Sequence, residues 1–227
     1  MKQPAAYTST HREQNFPEAG TGAARLASLA FWAALSGSLV FAIGTVLHPA
    51  RDGFSIAGAP DYYGLTHDIQ AIGLFLQVVS LAAMLGAGRA PISRISIAAP
   101  VTALLGTLSW FALILFDGSH NPATAQYAPQ IVHKSADFGL DAAIIVIPAL
   151  ILFPVGHAVF GVALARSGAM LWGGLLGVGA LLYTIGGYLI FAIGPESTSI
   201  QVFEVVGVLP YSLAFAALGF TIRRAAP

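Results

Sequence analysis

Six apolar runs, each long enough to cross a lipid bilayer, constrain this chain more than any other feature. They lie at 25–47, 67–87, 95–116, 137–165, 170–193 and 201–222. A helix needs ~20 largely apolar residues to span the hydrocarbon core. Backbone polar groups in lipid must bond internally, and these runs lack the alternation of barrel strands, so the spans are helices. Only 9% of the residues are charged, against roughly 25% in soluble domains. So few charges cannot coat a water-soluble globule. The expected fold class is therefore all-α, an integral membrane bundle of six transmembrane helices at 25–222. A mobile polar cytoplasmic tail is expected at 1–24 and a short cytoplasmic C-terminus at 223–227. The tail does not read as a signal peptide, because no apolar stretch follows a basic start at the right distance. Pro148, Pro154 and Pro210 sit inside apolar runs and predict kinks.

Charge sets the orientation. Six spans put both termini on one side, together with Lys2, Arg12, Arg25, Arg89, Arg94, Arg166, Arg223 and Arg224. Arg51 and Lys134 alone fall on the other side. Basic residues stay cytoplasmic, so both termini are expected inside. The opposite ends of the spans gather Asp52, Asp61, Asp68, Asp117, Asp137, Asp141, Glu196 and Glu204, with His48, His67, His120 and His133. Formal net charge is zero, which gives no nucleic-acid partner. With no cysteine, disulfides, thiolate metal sites and thiol catalysis are excluded.

The runs Leu39-Val40-Phe41-Ala42-Ile43-Gly44 and Leu189-Ile190-Phe191-Ala192-Ile193-Gly194 both lead into outer loops. They suggest three helical hairpins in parallel orientation, although apolar hexamers also match by chance. Polar residues fall on helical faces. His133, Asp137 and Asp141 are spaced i, i+4, i+8, one face about 12 Å long if the helix starts early enough. His67, Gln70 and Gln77 share a second face, and Ser38, Thr45 and His48 a third. Gly37, Gly106, Gly139, Gly207 and the pair Gly173 and Gly177 offer close helix approach. Helix ends normally carry polar residues, and Tyr62, Tyr63, Trp32 and Trp172 read as ordinary interfacial anchors.

Three chemistries suit these residues. Imidazoles and carboxylates without thiolates suit copper, iron or zinc, with His48, His67, Asp117, His120, His133 and Asp137 as the candidate ligands. Haem b between two of the histidines is a weaker version, since they lie at helix ends. A metal-independent cyclase or isomerase would instead use desolvated Asp141 or Glu204 as general acid. Trp110, Phe111, Phe116, Tyr127, Phe138, Phe203 and Tyr211 would wall its apolar pocket. A transport or assembly role needs no catalysis. Phosphate-loop, dinucleotide, zinc-protease and nucleophile-elbow motifs are absent and the inner loops are short, so chemistry belongs to the bundle itself.

Asp117, His120 and His133 form Asp-x2-His-x12-His. This resembles the copper-site motif Asp-x3-His-x12-His of the membrane C subunit of copper-dependent membrane monooxygenases, over 17 residues and with one spacing changed. The resemblance implies a metal-dependent oxidation of an apolar small molecule entering from lipid. More widely, Leu47-His48-Pro49, Thr66-His67 and the terminal Arg223-Arg224 resemble features of uncharacterised bacterial six-span membrane proteins. That likeness implies a plasma-membrane location and gives no activity.

Overall fold

In this computed structural model residues 19–87, 97–134 and 139–224 are described, without the side chains of 19, 20, 141 and 224. The sequence expectations for the tail at 1–18, the segment at 88–96, Asp137, Phe138 and the last three residues lie outside them. Seven α-helices make up the described chain: α1 Ala19–Val46, α2 Gly53–Gly58, α3 Pro60–Gly86, α4 Ala98–Tyr127, α5 Leu140–Arg166, α6 Met170–Ile193 and α7 Thr198–Arg224. A single 3-10 turn, Pro129–Ile131, follows α4, and no strand occurs among the described residues. All but α2 are long and apolar enough to cross a membrane. Large apolar side chains such as Trp32, Leu39, Phe75 and Val155 point outward, as a lipid solvent permits. The six-span membrane bundle is the fold.

Each long helix packs on its neighbour in the chain, and α7 returns to α1, so the six form a closed ring. Successive members of the ring run in opposite directions. Both described chain ends therefore share one end of the bundle, here the near end. The loops after α1, α4 and α6 gather at the far end. Aromatic rings fill the ring's centre: Phe41 meets Tyr183 at 5.2 Å, Trp110 meets Phe153 at 4.9 Å, and Phe153 meets Tyr211 at 5.5 Å. These edge and tilted contacts come from five different helices and pack the axis with rings.

Small residues bring the helices into backbone contact. A Cβ at Gly37 would lie 2.8 Å from the Gly73 carbonyl oxygen, and one at Gly207 would strike the Tyr183 backbone. Gly106 and Gly173 likewise abut the backbones of Leu152 and Gly161, as their spacing implied. Gly139 does not, since nothing lies within 4 Å of it. Pro148 and Pro154 stand inside a continuous α5. Pro154 has no N–H for the Leu150 carbonyl, and the Tyr188 hydroxyl donates to that oxygen at 2.8 Å instead.

Several boundaries differ from the apolar runs, and α3 begins at Pro60, seven residues before its run. α1 begins at Ala19, six residues before the run. α4 continues eleven residues past its run, to Tyr127, because its polar last turns pack on α2 and the 3-10 turn rather than facing water. α5 begins at Leu140 and His133 lies in the preceding loop. His133 therefore does not share a helix with Asp141: Asp141 is in the first turn of α5 and His133 precedes that helix.

Candidate functional site

Asp117 organises the far end. It lies on α4 with Asn121 one turn further along, which puts both on one face. His67 of α3 brings its Nε2 within 2.8 Å of Asp117 Oδ2. The Tyr63 hydroxyl, one turn earlier on α3, donates to the same oxygen at 3.1 Å, and Arg51 Nη1 donates at 3.4 Å. His133 Nε2 sits 3.1 Å from the other oxygen, Oδ1, where the Asn121 amide also donates. The second Arg51 nitrogen, Nη2, pairs with Glu204 Oε1 at 2.7 Å. His48 closes the cluster, its Nε2 3.4 Å from that of His67.

Local backbone sets these directions. α1 ends at Val46, so His48 and Arg51 turn back over the ring. Asp52 accepts from the Ser55 N–H at 2.9 Å and caps α2, which fixes the loop carrying Arg51. His133 adopts a left-handed backbone with φ of 59°. Such a conformation is uncommon outside glycine and is held here by tertiary contacts. Its ring is pinned at both ends, Nδ1 bonding the Arg51 carbonyl at 2.9 Å.

The hydrogen-bond partners fix where protons must be. His67 Nδ1 faces the Tyr63 carbonyl at 2.9 Å. A carbonyl only accepts, so that nitrogen carries hydrogen. The 2.8 Å contact from Nε2 to Asp117 then needs one more proton, shared between imidazole and carboxylate. His133 repeats the pattern, with the Asn121 amide nitrogen 2.6 Å from its Nε2 as an alternative donor. One shared proton balances the buried charges: Arg51 and that proton against Asp117 and Glu204. Burial, then the charges of Arg51 and His67, hold the His48 ring well below the usual imidazole range. Burial works against the Arg51 charge, but Glu204, then Tyr63 and Asp117, keep the guanidinium above its ordinary value.

A cleft of about 660 Å³, its open mouth included, leads from this cluster down between α4, α5 and α6. Its walls are apolar, among them Trp110, Ile114, Val146, Leu150 and Ile190. Its polar end is formed by Arg51, Asp117, Asn121, His133 and Glu204.

Of the residues singled out by sequence, His48, His67, Asp117 and His133 converge, and Glu204 joins them through Arg51. His120 turns away, stacked on Phe116 at 4.8 Å with Thr124 at 3.3 Å from its Nε2, though it lines the cleft. Glu204 lies in the second turn of α7. Among the expected pocket aromatics Trp110 and Phe116 line the cleft, Tyr127 is exposed, and Tyr211 belongs to the ring's centre. Sequence reading missed Arg51, Asn121 and the role of Tyr63. Tyr63 is no interfacial anchor: it is fully buried against Asp117. The signal for Arg51 was its position as one of two cations among the far-end acids.

Among the described residues no group of three or more His, Cys, Asp or Glu side chains is arranged to hold a metal ion. His67 and His133 take opposite oxygens of Asp117, and a guanidinium occupies the position beside them. His120, the middle residue of the Asp-x2-His-x12-His spacing, turns away from the cluster, so the described geometry lends the copper or iron centre no support. No protein-family model, curated protein or solved structure matches this chain. Neither resemblance drawn from its motifs gains support there.

Proposed function

We propose that the protein binds a lipid-soluble small molecule in the far-end cleft, holds its polar head at Arg51, Asp117 and His133, and exchanges a proton with that head. The far end would face outward from a plasma membrane, with both termini cytoplasmic, because Arg25, Arg166 and Arg223 mark the near end as basic. The single observation that carries this reading is an apolar cleft ending on a carboxylate wedged between two imidazoles whose other nitrogens are already bonded. Pockets for small molecules combine apolar walls with few convergent polar groups.

The head best suited is a neutral oxygen acceptor such as a carbonyl. Arg51 Nε is buried without a partner and can donate to it. An anionic head would add to the two carboxylates present, and a cationic head would meet Arg51. Asp117 and His133 line the cleft, so a proton shared between that carboxylate and the imidazoles can pass to a head held against them. Glu204, bonded to Arg51 at 2.7 Å, positions that cation rather than serving as the acid.

The test is organic extraction and mass spectrometry of protein purified in lipid nanodiscs. A Cβ at Gly187 would already lie 3.3 Å from Leu150 and 3.5 Å from Trp110, so Gly187→Leu fills the cleft. Wild-type protein retains a carbonyl-bearing apolar compound enriched over bulk lipid, and Gly187→Leu loses it. Equal retention by both would overturn the reading.

A further inference from the structure

A second cavity, about 350 Å³ with its mouth included, lies on the loop side of the cluster. Pro49, Pro195, Ser197 and Gln201 line it, so it is built from the loops after α1 and α6 and the start of α7. Arg51 and Glu204 line this vestibule as well as the apolar cleft. The buried ion pair between them, 2.7 Å long, is therefore the partition between a polar cavity at the far end and an apolar one inside the bundle.

Both members of the pair are held in a way that permits displacement. Arg51 sits in a loop rather than a helix and keeps Asp117 as a second partner at 3.4 Å. Glu204 rests against Gly186, where an added Cβ would lie 2.5 Å from the Glu204 Cγ. The Gln201 side chain, one turn before Glu204, donates to the His48 carbonyl at 3.0 Å and ties α7 to the same loop. Swinging Arg51 wholly onto Asp117 would open the partition and keep the guanidinium paired, while Glu204, buried in the closed pair, would turn its carboxylate toward the polar vestibule that it lines.

We propose that the vestibule and the cleft are two ends of one passage, closed by the Arg51–Glu204 pair, through which the cleft's ligand moves between the aqueous far side and the bilayer. This rests on the cleft binding such a ligand, but water access through the partition is measured separately from ligand retention. The aromatic plug below the cleft ends the passage halfway, so it transfers molecules between water and one leaflet and does not conduct across the membrane.

The chain contains no cysteine, so single cysteines report accessibility without background. A charged, membrane-impermeant thiol reagent is applied from the far side to the protein in oriented vesicles. Ser197→Cys in the vestibule labels quickly in every background. Ile190→Cys in the cleft labels slowly, and Glu204→Gln or Gly186→Ala accelerates it roughly tenfold or more by raising the open fraction from the low population of a minor state. Gly186→Ala displaces Glu204 without removing its charge. Ala149→Cys, buried in the ring's centre away from both cavities, stays protected. Unchanged Ile190→Cys rates in both variants overturn the passage, as does equal acceleration at Ala149→Cys, which would mean a loosened bundle. If those rates do not respond while Gly187→Leu still loses the bound compound, the cleft stands and the passage alone falls.

Discussion

Replacing Arg51 by methionine tests the electrostatic logic of the far end. The guanidinium is 8% exposed and bonds two carboxylates, Asp117 at 15% and Glu204 at 5% exposure. Methionine keeps most of the side-chain volume and removes the charge. Two desolvated carboxylates then face each other with only imidazole protons to balance them. Breaking a buried pair by deleting one partner costs about 3–5 kcal/mol, mostly from the charge left behind. For a chain of this size that corresponds to roughly 6–20 °C in the unfolding midpoint, at ~2–4 °C per kcal/mol. The assay is thermal unfolding in nanodiscs, followed by tryptophan fluorescence. Arg51→Met combined with Glu204→Gln removes both members and recovers more than half of the loss, a coupling that a double-mutant cycle measures. A loss under ~1 kcal/mol, the range of an exposed ion pair, would refute the reasoning. So would strict additivity of the two substitutions.

Three further outcomes follow from individual contacts. The folded His48 ring titrates well below the ordinary imidazole value of 6.5, through burial and then the neighbouring charges of Arg51 and His67, opposed by its hydrogen bond to the Pro49 carbonyl and by Asp117. The unfolded chain therefore binds more protons below about pH 6.5, and stability falls as pH is lowered from ~7 to ~5; His48→Gln flattens that part of the stability–pH curve. Gly73→Ala drives a Cβ into the Phe41 backbone, separating α1 from α3, and costs about 1–3 kcal/mol as overpacking in unfolding measurements. Tyr188→Phe leaves the Leu150 carbonyl without a donor and costs about 1–3 kcal/mol, with faster hydrogen exchange in the middle of α5.

The spans were legible because a helix in lipid must be apolar over its whole length, whichever face is buried. The last turns of α4 were not, because Asp117, Ser119, His120, Asn121 and Thr124 look like loop until Tyr63, α2 and the 3-10 turn are known to pack on the face that carries Asp117 and Asn121. Periodicity misled at His133, where a spacing of four to Asp137 and Asp141 mimics a helical face although α5 starts only at Leu140. The imidazoles and acids of the site were recognisable as ionisable groups near the membrane, which rarely lie there without a partner. Their partners were not. Arg51 and Tyr63 are residue types that interfaces carry by default, and only the folded chain distinguishes an anchor from a buried donor. Convergence of His48 and His67 with Asp117 and His133 depends on how loops return over the ring, and no local pattern encodes that.

An electron cryo-microscopy map of the protein in lipid nanodiscs tests the central claim most directly. The account expects His67 and His133 on opposite oxygens of Asp117, with ligand density in the cleft between Trp110 and Leu150 whose head touches that cluster. A map in which the imidazoles point away from Asp117, or in which ordinary acyl chains fill the cleft and no head reaches the carboxylate, would contradict it.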